Sequence, residues 1–400
     1  MKNGSVLIVG AGPTGVAAAL ALGQQGLDVT LLERDAEPNV SPRAMVYLHP
    51  LLPDFDRWGI LETMRQRGLM DTEGFNLHLI ALDEVLSAPN SDVEGLTPTP
   101  YNIHLGQGEF VRLVLERLVE MDNVTIHAGA QVVGLEQDDS GVTATVATAE
   151  GTQVFTADWL IGADGGHSVV RESIGATLEG FTWPERFVAI NVIHDFRARG
   201  FRSSNLYAHP ELAAVIAQID ANNLWRCTFQ EDADLPEEGV EERIHAYLQQ
   251  LLGPDAEYTV DAFRPYRMHQ RLSSKLREGR VMLIGDAGHL TNPTGGLGLT
   301  TGLYDVLALE EVLPAVVRGE AEKSVLDRWA EDRARVFSEI TSPTASNLKN
   351  LVYGRLPAEE LREATQQMRE ITSTLEGRQT MLMGLDGPRS PSLLAPQTSS

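Results

Sequence analysis

The chain of 400 residues contains a single cysteine, Cys227. One cysteine cannot form an internal disulfide, a thiolate zinc site or an iron–sulfur site. It also excludes the disulfide reductases, which need a pair of cysteines. Because disulfide-free chains are typical of reducing compartments, we expect a cytoplasmic protein.

Positive charge and long apolar runs are scarce as well. The 32 Lys and Arg residues are outnumbered by 56 Asp and Glu residues, so the formal net charge is −24. This charge repels phosphate backbones and anionic lipid surfaces. No stretch approaches the roughly 18 to 20 uninterrupted apolar residues of a membrane span. We therefore expect no nucleic-acid partner and no membrane association.

What is present is an ordinary globular composition with a glycine-rich motif near its start. GAGPTG lies between a predicted strand at 5–9 and a predicted helix at 16–22. In this context Gly10 permits a tight turn, Gly12 the close approach of a diphosphate, and Gly15 close packing of helix on strand. The first free N–H groups of the helix can then bind phosphates. The motif predicts dinucleotide binding.

A second predicted strand, 28–32, is followed at once by Glu33, 23 positions after Gly10. A carboxylate at this position can accept hydrogen bonds from both ribose hydroxyls and repels a 2′-phosphate. The site therefore suits FAD or NAD better than NADP.

Two later segments distinguish FAD from NAD. LIGADGGHSVVR and GRVMLIGDAGHLTNPTGGLGLTTGLYD each place an aspartate, Asp164 and Asp286, directly after a predicted strand. Such an aspartate can hold a polyol hydroxyl, and a flavin has the ribityl chain that NAD lacks. The helix start at 295–300 offers N–H donors and a favourable dipole to the anionic edge of a reduced flavin. These features favour FAD.

Together the three motifs resemble those of the class A flavoprotein monooxygenases, the single-component aromatic hydroxylases of the para-hydroxybenzoate hydroxylase type. The resemblance covers roughly residues 5–340 and includes Ser168 and Arg171 in the second motif. It implies bound FAD, NADH or NADPH as co-substrate, and O2. The implied reaction is hydroxylation of an aromatic or heteroaromatic ring, phenol- or hydroxypyridine-like, through a flavin C4a-hydroperoxide.

The resemblance also implies the cofactor contacts. Glu33 would bind the adenosine ribose and Asp286 the ribityl chain, while Pro293 and the backbone at 295–299 would border the isoalloxazine ring. Thr300 replaces an asparagine of many relatives. The implied cofactor-binding residues are Gly10, Gly12, Pro13, Thr14, Gly15, Glu33, Arg34, Arg43, Gln107, Asp164, Gly285, Asp286, Pro293, Gly296, Gly298 and Leu299.

Substrate and catalytic residues are harder to identify. On the middle segment, Tyr207 and His269 are candidates to orient or deprotonate a phenolic ring, and Arg226 is a candidate partner for a carboxylate; ordinary packing is the alternative for each. The hypothesised substrate residues are His49, Tyr207, Trp225 and Arg226, and the hypothesised catalytic residues are Arg43, Tyr207, His269 and Pro293.

The expected fold is α/β, with a Rossmann-like FAD-binding domain, an antiparallel-sheet substrate domain and C-terminal helices. Short alternating apolar runs between about 183 and 268 predict the antiparallel sheet. The expected division is a discontinuous FAD-binding domain at 1–70, 100–182 and 270–345, a substrate domain at 71–99 and 183–269, C-terminal helices at 346–380 and a mobile tail at 381–400.

Two further absences narrow the chemistry. No second glycine fingerprint provides a separate nicotinamide domain, so a nicotinamide donor must dock transiently. The Trp-x-Trp pattern associated with flavin halogenases is missing. A flavin oxidase or reductase without oxygen insertion and a non-catalytic FAD-binding protein remain alternatives. We expect a monomer or homodimer and no metal requirement.

Overall fold

The computed structural model describes residues 4–37 and 44–395. Its strands are numbered here in chain order. They are β1 (Ser5–Val9), β2 (Asp28–Glu33), β3 (Val46–Tyr47), β4 (Leu69–Asp71), β5 (Phe75–Leu79), β6 (Glu84–Ala88), β7 (Asn102–His104), β8 (Val124–Ala128), β9 (Gln131–Gln137), β10 (Val142–Thr148), β11 (Gly151–Ala157), β12 (Trp159–Gly162), β13 (Leu178–Ile193), β14 (Ser204–Ala208), β15 (Ala214–Gln218), β16 (Leu224–Asp232), β17 (Thr259–Ser273), β18 (Arg277–Glu278), β19 (Val281–Leu283) and β20 (His289–Leu290).

The α-helices are numbered in the same way. They are α1 (Pro13–Gln24), α2 (Leu52–Arg57), α3 (Leu61–Arg67), α4 (Gln107–Val119), α5 (Val169–Ser173), α6 (Val240–Leu252), α7 (Leu297–Val317), α8 (Val325–Val336), α9 (Ser342–Tyr353), α10 (Ala358–Ala364), α11 (Gln366–Thr372) and α12 (Leu375–Met383). A π-helical turn, Phe337–Thr341, joins α8 to α9.

One of the two large sheets has six strands in the order β18-β19-β12-β1-β2-β8. Its strands run parallel except for the short β18–β19 pair. The apolar side chains of β1 and the Ala- and Leu-rich α1 are buried in one core. All three glycine-containing motifs follow strands of this sheet, which brings them to its carboxyl edge, where α/β sheets bind ligands.

The other large sheet has eight strands in the order β20-β17-β13-β16-β15-β14-β5-β6. Its pairs are antiparallel except that β14 and β5 run parallel. The α/β class and the largely antiparallel middle sheet thus match the expectation. The division into an FAD-binding and a substrate domain stays a prediction, and β13 and β17 run across its proposed boundaries at 182/183 and 269/270.

The predicted mobile tail from residue 381 does not fit the described part of that segment. Arg333 donates hydrogen bonds to the Pro388 carbonyl oxygen and the Ser390 hydroxyl. Arg389 forms an ion pair with Asp54 at 2.8 Å. Low pattern and many Pro and Ser residues indicated a tail, but its backbone carbonyl and side chains bond to helices distant in sequence.

Candidate active site

A cavity of about 1440 Å3 lies between the two sheets. One part, here called the motif half, is lined by the three glycine-containing motifs. The other part, the sheet half, is lined by one face of the eight-stranded sheet and by C-terminal helices. The two halves have different chemistry and are described in turn.

In the motif half, the GAGPTG turn leaves its backbone open to the cavity. Gly10 has φ of +101° and a Cβ there would lie 2.5 Å from the Ala163 carbonyl oxygen. A Cβ at Gly15 would lie 1.9 Å from the Gly10 carbonyl oxygen. At Gly12, in contrast, a Cβ would meet nothing within 4 Å and the residue lines the cavity. The backbone of the turn therefore borders open space at Gly12, and a side chain at that position would occupy this space.

The helix behind this turn is also open at its start. No side chain caps the N-terminus of α1, and its first turn contains no acidic residue. Pro13 and Thr14 line the cavity beside Gly12, whereas Gly15 packs against Gly10 behind them. Free N–H groups and the positive end of the helix dipole suit a diphosphate. The residues present therefore fit the phosphates of a dinucleotide.

Glu33 ends β2 beside the same turn. Its Oε2 accepts a hydrogen bond from the Ala11 N–H at 2.6 Å, and its Oε1 accepts one from the Asp35 N–H at 2.9 Å. Glu33 and Arg34 both line the cavity. A carboxylate oriented by two backbone donors has further lone pairs for ribose hydroxyls. Arg43 lies outside the described residues.

Asp164 follows β12 and is held inside its own turn. Its Oδ1 accepts a hydrogen bond from the Ser168 hydroxyl at 2.5 Å and its Oδ2 one from the Val170 N–H at 3.1 Å. Burial raises the pKa of Asp164, and these hydrogen bonds offset only part of that effect. Arg171 donates to the carbonyl oxygens of Gly166 and Ala287, which ties this turn to the third motif.

The third motif places Asp286 at the cavity wall directly after the left-handed Gly285. α7 then begins after Gly296, which has φ of +71°, with no capping side chain and no acidic residue in its first turn. Thr300 donates its hydroxyl hydrogen bond to the Gly296 carbonyl oxygen at 3.1 Å, so its side chain is bonded within the first turn and leaves the N–H groups of the helix start free. The cavity wall here also includes Gln107, Pro293, Gly298 and Leu299.

In the sheet half, one face of β13, β16 and β17 carries cations and rings. Arg226 pairs with Asn191 across the strands and donates its Nε–H to Asn191 Oδ1 at 2.8 Å. Burial lowers the pKa of Arg226 to about 10. Arg264 pairs with Ala189 on the other side of β13, and Tyr266 pairs with Phe187. Because cross-strand partners point to the same face, these residues form one wall.

Charge separates the two halves. The described acidic residues that line the cavity are all at the motif half, and they are Glu33, Asp35, Glu37, Asp164, Glu172 and Asp286. The sheet half presents Arg226 and Arg264 among largely apolar and aromatic neighbours. The net charge of the chain is −24, so the charged side chains on this wall are opposite in sign to the protein as a whole. The sheet half therefore differs from the motif half in the sign of the charged side chains that line it.

His269 lies on β17 where the two halves meet. Its Nδ1 is 2.9 Å from the Thr182 hydroxyl, and it lines the cavity with Arg267. Burial lowers the pKa of His269, and the positive charges of nearby Arg271 and Arg267 lower it further. The imidazole is therefore neutral at pH 7 and can accept a proton.

Two hypothesised substrate residues lie on the wrong face. Leu206 and Arg226 line the cavity, so their neighbours Tyr207 and Trp225 point to the opposite side of the sheet. The Trp225 ring packs against Phe196 at 5.2 Å in a separate core. The Tyr207 ring stacks on His209 at 5.5 Å. Neither side chain reaches the substrate space.

His49 is also misplaced as a substrate residue. It is buried behind the wall, where its N–H donates to Asn102 Oδ1 and its Nε2 lies 3.1 Å from the Leu382 carbonyl oxygen. This contact joins His49 to α12. Its sequence neighbour Leu48 lines the cavity, but the His49 side chain does not.

Sequence reasoning missed the residues that close the sheet half from the C-terminal side. Leu348 of α9, Met368 of α11, and Met381 and Leu382 of α12 line the cavity, as does Leu385 just beyond. No local motif marks them, because their only signal is tertiary contact. Arg264 had a weak signal, since strict alternation along β17 places it on the same face as Tyr266.

The fold and this site define a dinucleotide-binding protein with an adjoining chamber lined by apolar, aromatic and cationic side chains. The FAD binding domain family model matches residues 3–344. The chain therefore belongs to that family.

Two curated relatives match most of the chain. It is 41% identical over 373 residues to 6-hydroxy-3-succinoylpyridine 3-monooxygenase of Pseudomonas putida (strain DSM 28022 / S16), which covers 93% of this chain and 94% of the relative. It is 39% identical over 363 residues to para-nitrophenol 4-monooxygenase of Pseudomonas sp. (strain WBC-3), with 90% and 89% covered.

A solved structure agrees with these relatives. The crystal structure of p-nitrophenol 4-monooxygenase PnpA from Pseudomonas putida DLL-E4 matches with a TM-score of 0.91 and 35% identity, over 97% of this chain and 98% of that one. The protein is thus a class A FAD-dependent aromatic monooxygenase that uses a reduced nicotinamide and O2. The predicted family, cofactor and reaction class are confirmed. Across the described residues, no helix has the length and apolar character to span a bilayer.

Proposed function

We propose that the enzyme hydroxylates a phenol- or hydroxypyridine-type ring that carries an anionic group, and that Arg226 binds this group. The observation that supports the proposal is that the half-buried Arg226 lies on the same cavity wall as Phe187 and Tyr266, so a charged donor and two rings face one space. The two relatives are named for their action on a hydroxypyridine with a succinoyl group and on a nitrophenol. Both types of ring suit a cationic wall.

The residues of the sheet half would have the following roles toward the substrate ring. Phe187 and Tyr266 would pack against the ring, and Arg226 would fix its orientation. Neutral His269 would accept the proton of a ring hydroxyl, which makes the ring more electron-rich. Leu348, Met368 and Met381 would exclude water from the reacting ring, because water access favours unproductive loss of the activated oxygen.

The motif half would hold FAD, which supplies hydride acceptance from the nicotinamide and activation of O2. Gly12, Pro13 and Thr14 would face the diphosphate, Glu33 the adenosine ribose, and Asp286 the ribityl chain. Pro293 and the start of α7 would border the isoalloxazine ring. Arg34, Gln107, Asp164, Gly285, Gly296, Gly298 and Leu299 complete the proposed cofactor contacts, with Gly10 and Gly15 shaping the turn behind them. Arg43 stays a sequence-based proposal. We also propose a cytoplasmic monomer or homodimer.

The test is a panel of matched aromatic pairs, each a carboxylate and its neutral amide, on phenol and hydroxypyridine rings. Hydroxylated product is measured by mass spectrometry against NADH and NADPH oxidised. We expect product from at least one carboxylate, at ten or more times the kcat/KM of its amide. Equal kcat/KM for the two members would refute anion recognition. Nicotinamide oxidation without any hydroxylated product across the panel would refute the proposed substrate class.

A further inference from the structure

A buried carboxylate on α7, Asp305, lies behind the cavity and lines none of it. The side chain is 1% exposed and both its oxygens accept hydrogen bonds. Oδ2 accepts from the Gly285 N–H at 3.0 Å and from His289 Nε2 at 2.7 Å, while Oδ1 accepts from Arg333 Nε at 2.8 Å. A fully buried charge is retained only where its partners satisfy it.

The Gly285 contact matters because Gly285 precedes Asp286 in a left-handed turn. Gly285 has φ of +56°, and a Cβ there would lie 2.8 Å from Thr14 Oγ1 of the first motif. Gly302 of α7 packs equally closely, with its Cβ position 2.5 Å from Thr14 Cγ2. The turn that presents Asp286 is thus held between α1 on one side and the Asp305 carboxylate on the other.

The other partners of Asp305 connect this turn to the C-terminal part of the chain. Arg333 Nη1 donates to the Pro388 carbonyl oxygen at 2.7 Å and to Ser390 Oγ at 3.1 Å. The His289 ring stacks on Phe337 of the π-helical turn, with centroids 4.8 Å apart. Burial by itself raises the pKa of Asp305, but His289 and Arg333 lower it overall, so the carboxylate is ionised at pH 7.

We propose that Asp305 is a positioning residue, which holds the Gly285–Asp286 turn in the conformation that binds FAD. Asp305 touches neither substrate nor the reacting atoms. It acts through the Gly285 N–H, and His289 and Arg333 hold its carboxylate in place. Neither the resemblance nor the cavity lining assigns this role.

The test compares Asp305→Asn with Glu231→Gln, a matched control. Glu231 is a half-buried carboxylate that pairs with Arg186 and Arg243, and none of these three residues lines the cavity. FAD is removed from each purified protein, and its Kd is measured by fluorescence titration. Thermal unfolding of the apoprotein and the visible spectrum of the reconstituted flavin are recorded in parallel.

We expect Asp305→Asn to raise the Kd for FAD at least tenfold and to alter the flavin spectrum. Glu231→Gln should lower the unfolding temperature but keep the wild-type Kd and spectrum. Should Asp305→Asn fail to fold, His289→Gln carries the test, with an expected rise in Kd of three-fold or more. A wild-type Kd in the folded variant, or a Kd raised equally by Glu231→Gln, would overturn the proposal.

Discussion

The two halves of the cavity differ in whether backbone or side chains form their walls. The motif half uses backbone: open glycines, uncapped helix starts and left-handed turns that follow parallel strands. The sheet half uses side chains from β13, β16 and β17, closed by residues from α9, α11 and α12. A turn or close approach that requires glycine tolerates few residue types, whereas the side chains of a cavity wall can be substituted at many positions. We therefore expect changes in the motif half to abolish cofactor binding and changes in the sheet half to alter substrate preference.

The largest effect is expected at Gly12. Gly12→Val places a branched side chain in the open space at this turn and blocks the diphosphate, so FAD binding should fall more than 100-fold without unfolding the protein. The control is Gly134→Ala on β9, where a Cβ meets only Thr145 at 3.7 Å or more. Titration of FAD into apoprotein measures both. Near-normal affinity in Gly12→Val would mean that the phosphates lie elsewhere.

Arg226→Gln should weaken substrate binding in the sheet half without changing FAD binding in the motif half. A hydrogen bond to a charged group contributes roughly 1.5–3 kcal/mol, so KM for an anionic substrate should rise about 10- to 100-fold. The Kd for FAD should not change. Arg226→Lys should recover part of the loss, because it keeps the charge but loses the planar donor geometry. Equal loss of FAD and substrate binding would show that the halves are not separate.

Glu33 tests the carboxylate of the motif half. Glu33→Ala leaves the Ala11 N–H and the ribose hydroxyls without an acceptor, at a cost of roughly 1–3 kcal/mol, so the Kd for FAD should rise about tenfold. Glu33→Gln retains an oxygen acceptor and should weaken binding less. Fluorescence titration distinguishes the two. Equal affinities for wild type and Glu33→Ala would remove Glu33 from the FAD site.

Met381 tests the C-terminal wall of the sheet half. Met381→Ala enlarges the chamber, so kcat/KM for substrates with a bulkier ring substituent should rise a few-fold relative to small ones. Met383→Ala on the same helix is the matched control, because Met383 is 42% exposed. Steady-state kinetics on a size series measures the shift. Identical size preferences in the two variants would place the ring away from α12.

The smallest effect concerns pH. Since the pKa of Arg226 is lowered to about 10, its charged form dominates at neutral pH and is lost as pH rises through that value. KM for a carboxylate substrate should therefore stay level to about pH 9 and rise about twofold by pH 10. KM for the matched amide should not follow. A rise shared by both substrates would point to loss of structure rather than to Arg226.

The sequence alone determined the motif half, because its requirements are local. A glycine at position 10, 12 or 15 and an acid at the end of β2 are needed by backbone geometry and phosphate chemistry wherever the strand–turn–helix unit occurs. The parallel sheet then brought the three motifs to one edge. Tertiary structure decided the sheet half. Which side chain of each neighbouring pair, Arg226 or Trp225, Leu206 or Tyr207, faces the cavity depends on strand pairing across β13–β17. That Met381 closes the chamber and Asp305 supports Gly285 depends on packing between segments far apart in sequence, which no local pattern records.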